Sequence, residues 1–198
     1  NQPRFQYVLG QLYQLQGDKK AARHAYEKVL KLQPDSEMDF NTRLQLAQLE
    51  ASPMAAVTLL TKMAKQDKNK DRLDQIYGTL GDILLAQGDT TKALEYYAKG
   101  IEGSTKNGMS KATALITAGD IYYQQRDYVS ASPCYKEASQ ILTVQHEDYK
   151  RIQRRSETLD ALVVEYSTVQ LQDSLQQLAT LSEEDQLKVV EKIIADLI

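Results

Sequence analysis

The stretch Leu80–Tyr97 reads LGDILLAQGDTTKALEYY, two helical segments joined by the turn Gln87-Gly88-Asp89. Asp89 is placed to cap the second segment. Ala93 and Tyr97 stand four apart on it, so they share one face, where a ring can fill the space beside a small residue. The same words recur along the chain. Small residues stand at Gly10, Ala47, Gly81 and Gly119, spaced 37, 34 and 38 apart, and three of them follow a Leu. Twelve residues after each glycine comes an alanine, Ala22, Ala93 or Ala131, and four further on Tyr26, Tyr97 or Tyr135. QGD returns at Gln16–Asp18 and as QRD at Gln125–Asp127.

A period of this length predicts paired antiparallel helices. The small residue on the first helix of each pair admits the second closely, and the Ala-to-Tyr step packs beside it. Neither helix can bury its apolar stripe alone, so stacked pairs must share a continuous core. The expected architecture is all-α, about four helix pairs over residues 1–145 followed by two or three closing helices over 146–198. The second pair departs from the pattern: Leu46 and Ala47 match, but the QGD turn is missing, and Ser52-Pro53 starts the next helix early, with Ala56 and Leu60 in the small-then-large places. In the fourth pair, Pro133 is expected to kink or delay its helix.

These residues resemble the tetratricopeptide repeat. Leu9, Gly10, Tyr13, Ala22, Tyr26 and Pro34 carry the likeness in the first unit. Tyr77, Leu80, Gly81, Ala93 and Tyr97 carry it in the third, and Ala118, Gly119, Tyr122, Ala131, Tyr135 and Ala138 in the fourth. The resemblance implies a right-handed solenoid whose first helices line a groove for protein partners. The groove-facing positions include Tyr7, Gln11, Gln48, Asp82, Asp120 and Tyr123, with Leu44, Gly78 and Ile116 in the same register. Tyr7, Leu44, Gly78 and Ile116 stand where relatives that hold a partner's terminal carboxylate carry Lys. Gln11, Gln48, Asp82 and Asp120 stand where those relatives carry Asn, so a chaperone-tail clamp is not implied. For Tyr7 and Tyr123, groove contact and packing within the repeat both stay open.

Composition narrows the function. With 24 Lys and Arg against 27 Asp and Glu, no chain-wide basic field exists to hold nucleic acid. The basic cluster Lys150, Arg151, Arg154 and Arg155 lies among Glu147, Asp148 and Glu157 and reads as an ion-paired, solvated helix face. His24 and His146 fall on separate segments, and Cys134 is the one cysteine, so no internal disulfide or thiolate zinc site can be built. No phosphate loop or dinucleotide fingerprint occurs; Gly103–Ser110 reads as the turn into the fourth unit. No enzyme activity, metal or cofactor is expected, and no segment is apolar enough to span a membrane.

The ending follows a different pattern. Tyr149, Ile152, Leu159, Leu162 and Val163 form one stripe, and Leu171, Leu175 and Leu178 continue it. Ser182 opens a last helix, with Asp185 in a capping box and Val189, Val190, Ile193, Ile194 and Leu197 as its apolar face. The expectation is a lid on the end of the solenoid. The words RSETLDAL and LQDSLQQLATLSEED resemble the segment after the repeats in the PorW or SprE family of Bacteroidetes outer-membrane lipoproteins, tied to type IX secretion and gliding. The likeness rests on Arg155, Ser156, Leu159 and Leu162, then Gln172, Asp173, Ser174, Leu175 and Leu178. It implies a non-catalytic scaffold on the periplasmic face of the outer membrane that contacts secretion-machinery components. It also implies a lipid anchor that Cys134, inside a repeat, cannot carry. The alternative is a cytoplasmic adaptor or chaperone-like module binding a short peptide. Asp173 and Ser174, polar in mid-stripe, are the expected docking or packing joint.

Overall fold

In the computed structural model, each turn written QGD or QRD ends one helix and caps the next. Asp18, Asp89 and Asp127 accept the backbone N–H three residues on, from Ala21, Lys92 and Ser130, at 2.9, 3.1 and 3.0 Å. The middle residue takes a positive φ in all three, 79° at Gly17, 81° at Gly88 and 62° at Arg126. Glycine enters that region freely, whereas Arg126 adopts it at a cost of about 1 kcal/mol. The structure describes residues 1–197, except for the side chains at 170, 192, 193, 196 and 197.

The described residues form ten α-helices: α1 Gln2–Leu15, α2 Lys19–Lys31, α3 Ser36–Gln48, α4 Pro53–Ala64, α5 Leu73–Ala86, α6 Thr90–Glu102, α7 Met109–Gln124, α8 Tyr128–Ile141, α9 Tyr149–Ala179 and α10 Glu183–Leu197. They stack in chain order as the pairs α1/α2, α3/α4, α5/α6 and α7/α8, and α9 packs on α8. A short 3₁₀ segment, Asp67–Arg72, joins α4 to α5. There the buried Asn69 donates its side-chain N–H to the Met63 carbonyl at 2.8 Å, a second donor beside the Gln66 N–H at the end of α4.

The core is the repeated joint. Tyr26, Tyr97 and Tyr135 are fully buried, each flat against the glycine of its partner helix. A Cβ at Gly10, Gly81 or Gly119 would lie 2.6, 2.4 or 3.0 Å from that ring. The second pair reaches the same packing with other sizes, Ala47 opposite the fully buried Leu60. Where the first helix keeps a methyl, the second gives up the ring. Pro53 begins α4 three residues sooner after its small residue than α2, α6 and α8 begin after theirs. Ser52 is the N-cap residue there, but its hydroxyl makes no capping bond.

Two expectations need correction. Pro133 does not delay α8, which runs unbroken from Tyr128 to Ile141. Its ring faces solvent, so the Val129 carbonyl that loses its helical donor can bond water instead. The stripe Leu171, Leu175 and Leu178 does not lie on the solenoid. Closure is made by the first part of α9, where Ile152, Ser156 and Leu159 are buried and Tyr166 meets the Tyr128 ring edge-on. Past Tyr166 every described side chain is exposed except those of Leu178 and Gln186, which are half-buried. At the turn into α10 the Asp185 N–H bonds the Ser182 hydroxyl, which in turn donates to the Asp185 carboxylate. Of the last apolar face, Val189, Val190 and Ile194 are exposed, while Ile193 and Leu197 lie outside the described side chains.

Two predictions concern stability. Gly81→Ala should cost about 1–3 kcal/mol through overpacking against Tyr97, whereas Gly78→Ala on the same helix, which meets nothing within 4 Å, should gain up to about 1 kcal/mol from helix propensity. Urea unfolding of the two variants measures both signs. A chain ending at Ser167 should melt close to the full chain, and one ending at Glu147 should lose the cooperative unfolding of the α7/α8 pair, as followed by circular dichroism and hydrogen exchange.

Candidate partner-binding cleft

The shortened turn between α3 and α4 leaves a gap between the turns of the first and third units. It opens as a cleft of about 900 Å³. One wall is the first turns of α2, with Lys19, Lys20 and Arg23; the floor is Gln48–Ala51 and Pro53; the other wall is the end of α5, with Asp82, Ile83, Ala86 and Gln87. Arg23 is held back from the cleft's open space, donating to the Glu50 carboxylate at 3.1 Å and the Leu49 carbonyl at 2.9 Å. Lys19 and Lys20 stay exposed. The cleft thus offers cations on one side and a carboxylate on the other.

The six groove-facing residues expected from the register fall in three places. Gln48 and Asp82 line this cleft. Gln11 is exposed in a shallower hollow with Val8, Leu12, Gln14, Leu15 and Gln45, and the half-buried Tyr7 packs on Tyr26 with ring centres 5.6 Å apart. Asp120 and Tyr123 are engaged within the chain by α9. Asp173 and Ser174 are exposed on the far part of α9, away from all of these. Leu44 and Ile116, expected in the groove register, are buried in the core instead.

Gln11, Gln48, Asp82 and Asp120 occupy equivalent places, each directly after its unit's small residue. In the third and fourth units that residue receives the buried tyrosine's hydroxyl, Tyr97 to Asp82 at 2.7 Å and Tyr135 to Asp120 at 2.6 Å. In the first unit Tyr26 donates to Gln14 at 2.9 Å. Burial raises all three phenols, Tyr26 to about 12, with nearby Tyr7 adding to the effect. The carboxylate acceptors push Tyr97 and Tyr135 higher still. The Cys134 thiol, raised to about 11 first by burial, is poorly suited to be a nucleophile.

The two aspartates differ in what else reaches them. Arg151 donates to Asp120 at 2.9 and 3.1 Å, and Arg155 bonds both Asp120 and the Tyr135 hydroxyl, the latter at 2.8 Å. The Arg155 guanidinium also lies over the Tyr123 ring, 4.6 Å from its centre. The basic cluster is therefore only partly paired along its own helix, through Arg151 and Asp148 at 2.7 Å; its other contacts cross to α7 and α8. Sequence spacing alone had no means of showing that crossing. Asp82 has no such cation among the described residues. Lost hydration between the helices raises its carboxyl, opposed in part by the Tyr97 hydroxyl.

Residues 3–36 match one tetratricopeptide-repeat model and residues 72–143 another, together more than half of the chain. The chain is an all-α solenoid carrying tetratricopeptide repeats. The crystal structure of BtubC from P. vanneervenii superposes with a TM-score of 0.59 at 18% identity, covering 83% of this chain and 74% of that one. A crystal structure of MamA gives 0.50 at 21% identity, covering 85% and 96%. At these identities both likenesses speak for the fold alone. No curated protein matches the chain.

The contrast between the aspartates predicts opposite mutational signs. Asp82→Asn keeps an acceptor for Tyr97 and removes a charge that is exposed to the cleft but partly desolvated by the neighbouring helices, so the melting temperature at pH 7 should be unchanged or slightly higher. A carboxyl raised on folding contributes stability below its unfolded range and loses it as pH rises through the folded value; the variant's advantage should therefore fade on acidification. Asp120→Asn should lower stability by about 1–2 kcal/mol, since Arg151 and Arg155 lose the negative charge and one oxygen of their shared acceptor at a partly screened site. Thermal scans at pH 4 and pH 7 compare all three proteins.

Proposed function

We propose that this chain is a non-catalytic scaffold that receives an extended segment of a partner protein in the cleft between its first and third units. The observation that carries this is the cleft itself, an open gap in a tetratricopeptide-repeat array bordered by Lys19 and Lys20 on one side and Asp82 on the other. Repeat arrays of this family mediate protein–protein contact, and polar groups of both signs on a preformed concave surface suit a peptide backbone and its side chains. The resemblance of the α9 segment around Arg155–Leu162 and Gln172–Leu178 to the PorW or SprE lipoproteins supports a place for the scaffold in a secretion or gliding assembly at the periplasmic face of the outer membrane. Among the described residues no helix is long and apolar enough to cross a membrane.

The test is site-specific photocrosslinking in the native organism. A photoreactive residue at Gln48 should trap one or a few discrete envelope proteins, and the same probe at Ala98, exposed on α6 outside the cleft, should not. Equal trapping from both positions would sink the cleft reading. Cytosolic proteins as the trapped species would replace the envelope assembly with a cytoplasmic adaptor.

A further inference from the structure

The two ends of the array are finished differently. Aligning the units on their small residues puts Phe5 of α1 where the later units have Thr42, Ile76 and Ala114, and puts Leu12 where they have Leu49, Ile83 and Ile121. Of these later residues all but the half-buried Ile83 are buried, because the second helix of the preceding unit lies over them. Leu49 packs with Tyr26 of α2, Ile76 with Leu60 and Met63 of α4, and Ala114 and Ile121 with Ala93 and Tyr97 of α6. Among the described residues nothing takes that place on α1, and Phe5 and Leu12 are 73% and 51% exposed. Phe5, Val8 and Leu12 form one stripe at spacings of three and four, and exposed Leu32 of α2 continues it beside Phe5. The head of the array is a stacking face without its covering helix.

The tail carries a helix face of the matching kind. On α10, Leu187, Val190 and Ile194 repeat the three-and-four spacing and are exposed, with Glu183 and Glu191 bordering their stripe. We propose that the α10 stripe of one copy lies across α1 of a second copy, in the place that α2, α4 and α6 take within the chain, so that copies associate head to tail. Charge selects this pairing over the symmetric ones. Residues 2–31 carry six Lys and Arg against two acids, whereas residues 167–191 carry five acids against one Lys. Lys28 and Lys31 line a shallow hollow with Phe5 and Leu32, and Arg4 lies beside Phe5 and Val8. A head meeting a head, or a tail meeting a tail, would gather like charges around the apolar contact. One helix laid on a helix pair is a small interface, so association is expected at about micromolar concentrations or above. The contact is heterologous, joining two different surfaces, and it is independent of the cleft, which none of the stripe residues line.

Sedimentation velocity on the full chain over a wide range of concentration tests this, with Phe5→Glu as the head variant and Val190→Glu as the tail variant. Both side chains are exposed, so the circular dichroism of each variant should match that of the unsubstituted chain. The unsubstituted chain should associate as its concentration rises. Each variant alone should associate about tenfold or more weakly, because every copy lacks the same surface. An equimolar mixture of the two should associate more strongly than either alone and go no further than a one-to-one pair, since only the intact tail of Phe5→Glu and the intact head of Val190→Glu can meet. An unsubstituted chain that stays monomeric throughout overturns the proposal and leaves the α1 face to some other occupant. A variant that associates as well as the unsubstituted chain also overturns it, marking a contact that does not use the altered end, as does a mixture that associates no better than its components.

Discussion

The contact on which the rest of this structure depends is a tyrosine ring lying on a glycine. Because Gly10, Gly81 and Gly119 present bare backbone, α2, α6 and α8 approach their partner helices closely enough to bury a whole ring, and the hydroxyl at the far edge still needs an acceptor. The acceptor comes from the first helix of the same pair, Gln14, Asp82 or Asp120. One packing requirement thereby places a polar, sometimes charged, group at the groove end of each joint. The groove's chemistry follows from the way its core is closed.

The chain meets that requirement differently at each step. In the second unit Ala47 and Leu60 need no acceptor, and Gln48 is left free beside a shortened turn. In the fourth, α9 supplies arginines, so the acceptor is saturated and the same bonds fasten the closing helix. In the third, nothing saturates it. Variation that is small in sequence, a missing tripeptide here or a pair of arginines there, thus separates positions that close the array from positions that stay open.

Much of this was legible in the residues. The phase of Gly, Ala and Tyr across three units fixes the helix pairing, and the Asp caps mark the helix starts to within a residue, because both depend on contacts within one unit. Harder to see was anything set between units. The groove register gathers Gln11, Gln48, Asp82 and Asp120 as one set, yet it carries no information on which of them a buried tyrosine or a later helix will reach. Arg155 looks like one member of a surface charge cluster until α9 is packed on α8. Leu171, Leu175 and Leu178 read as core because their spacing is that of a buried face, and spacing does not reveal that the array has already been closed by Ile152 and Leu159. Pro133 misleads for a related reason: its helix is held by Ala131, Tyr135 and Ala138 on the opposite face, whose burial outweighs one missing hydrogen bond.

α9 joins two regions that differ in every other respect. Its first turns are pinned by Asp120, Tyr123 and Tyr135, and the same unbroken helix runs on to Ala179. At about 1.5 Å and roughly 100° per residue, the thirteen residues beyond Tyr166 set both a reach of about 20 Å from the array and the azimuths of the exposed Leu171 and Leu175 on one side and Asp173 on the other. Inserting one residue there would lengthen that reach only slightly but swing those side chains by more than a quarter turn. In this part of the molecule, direction is far more sensitive to residue count than distance is.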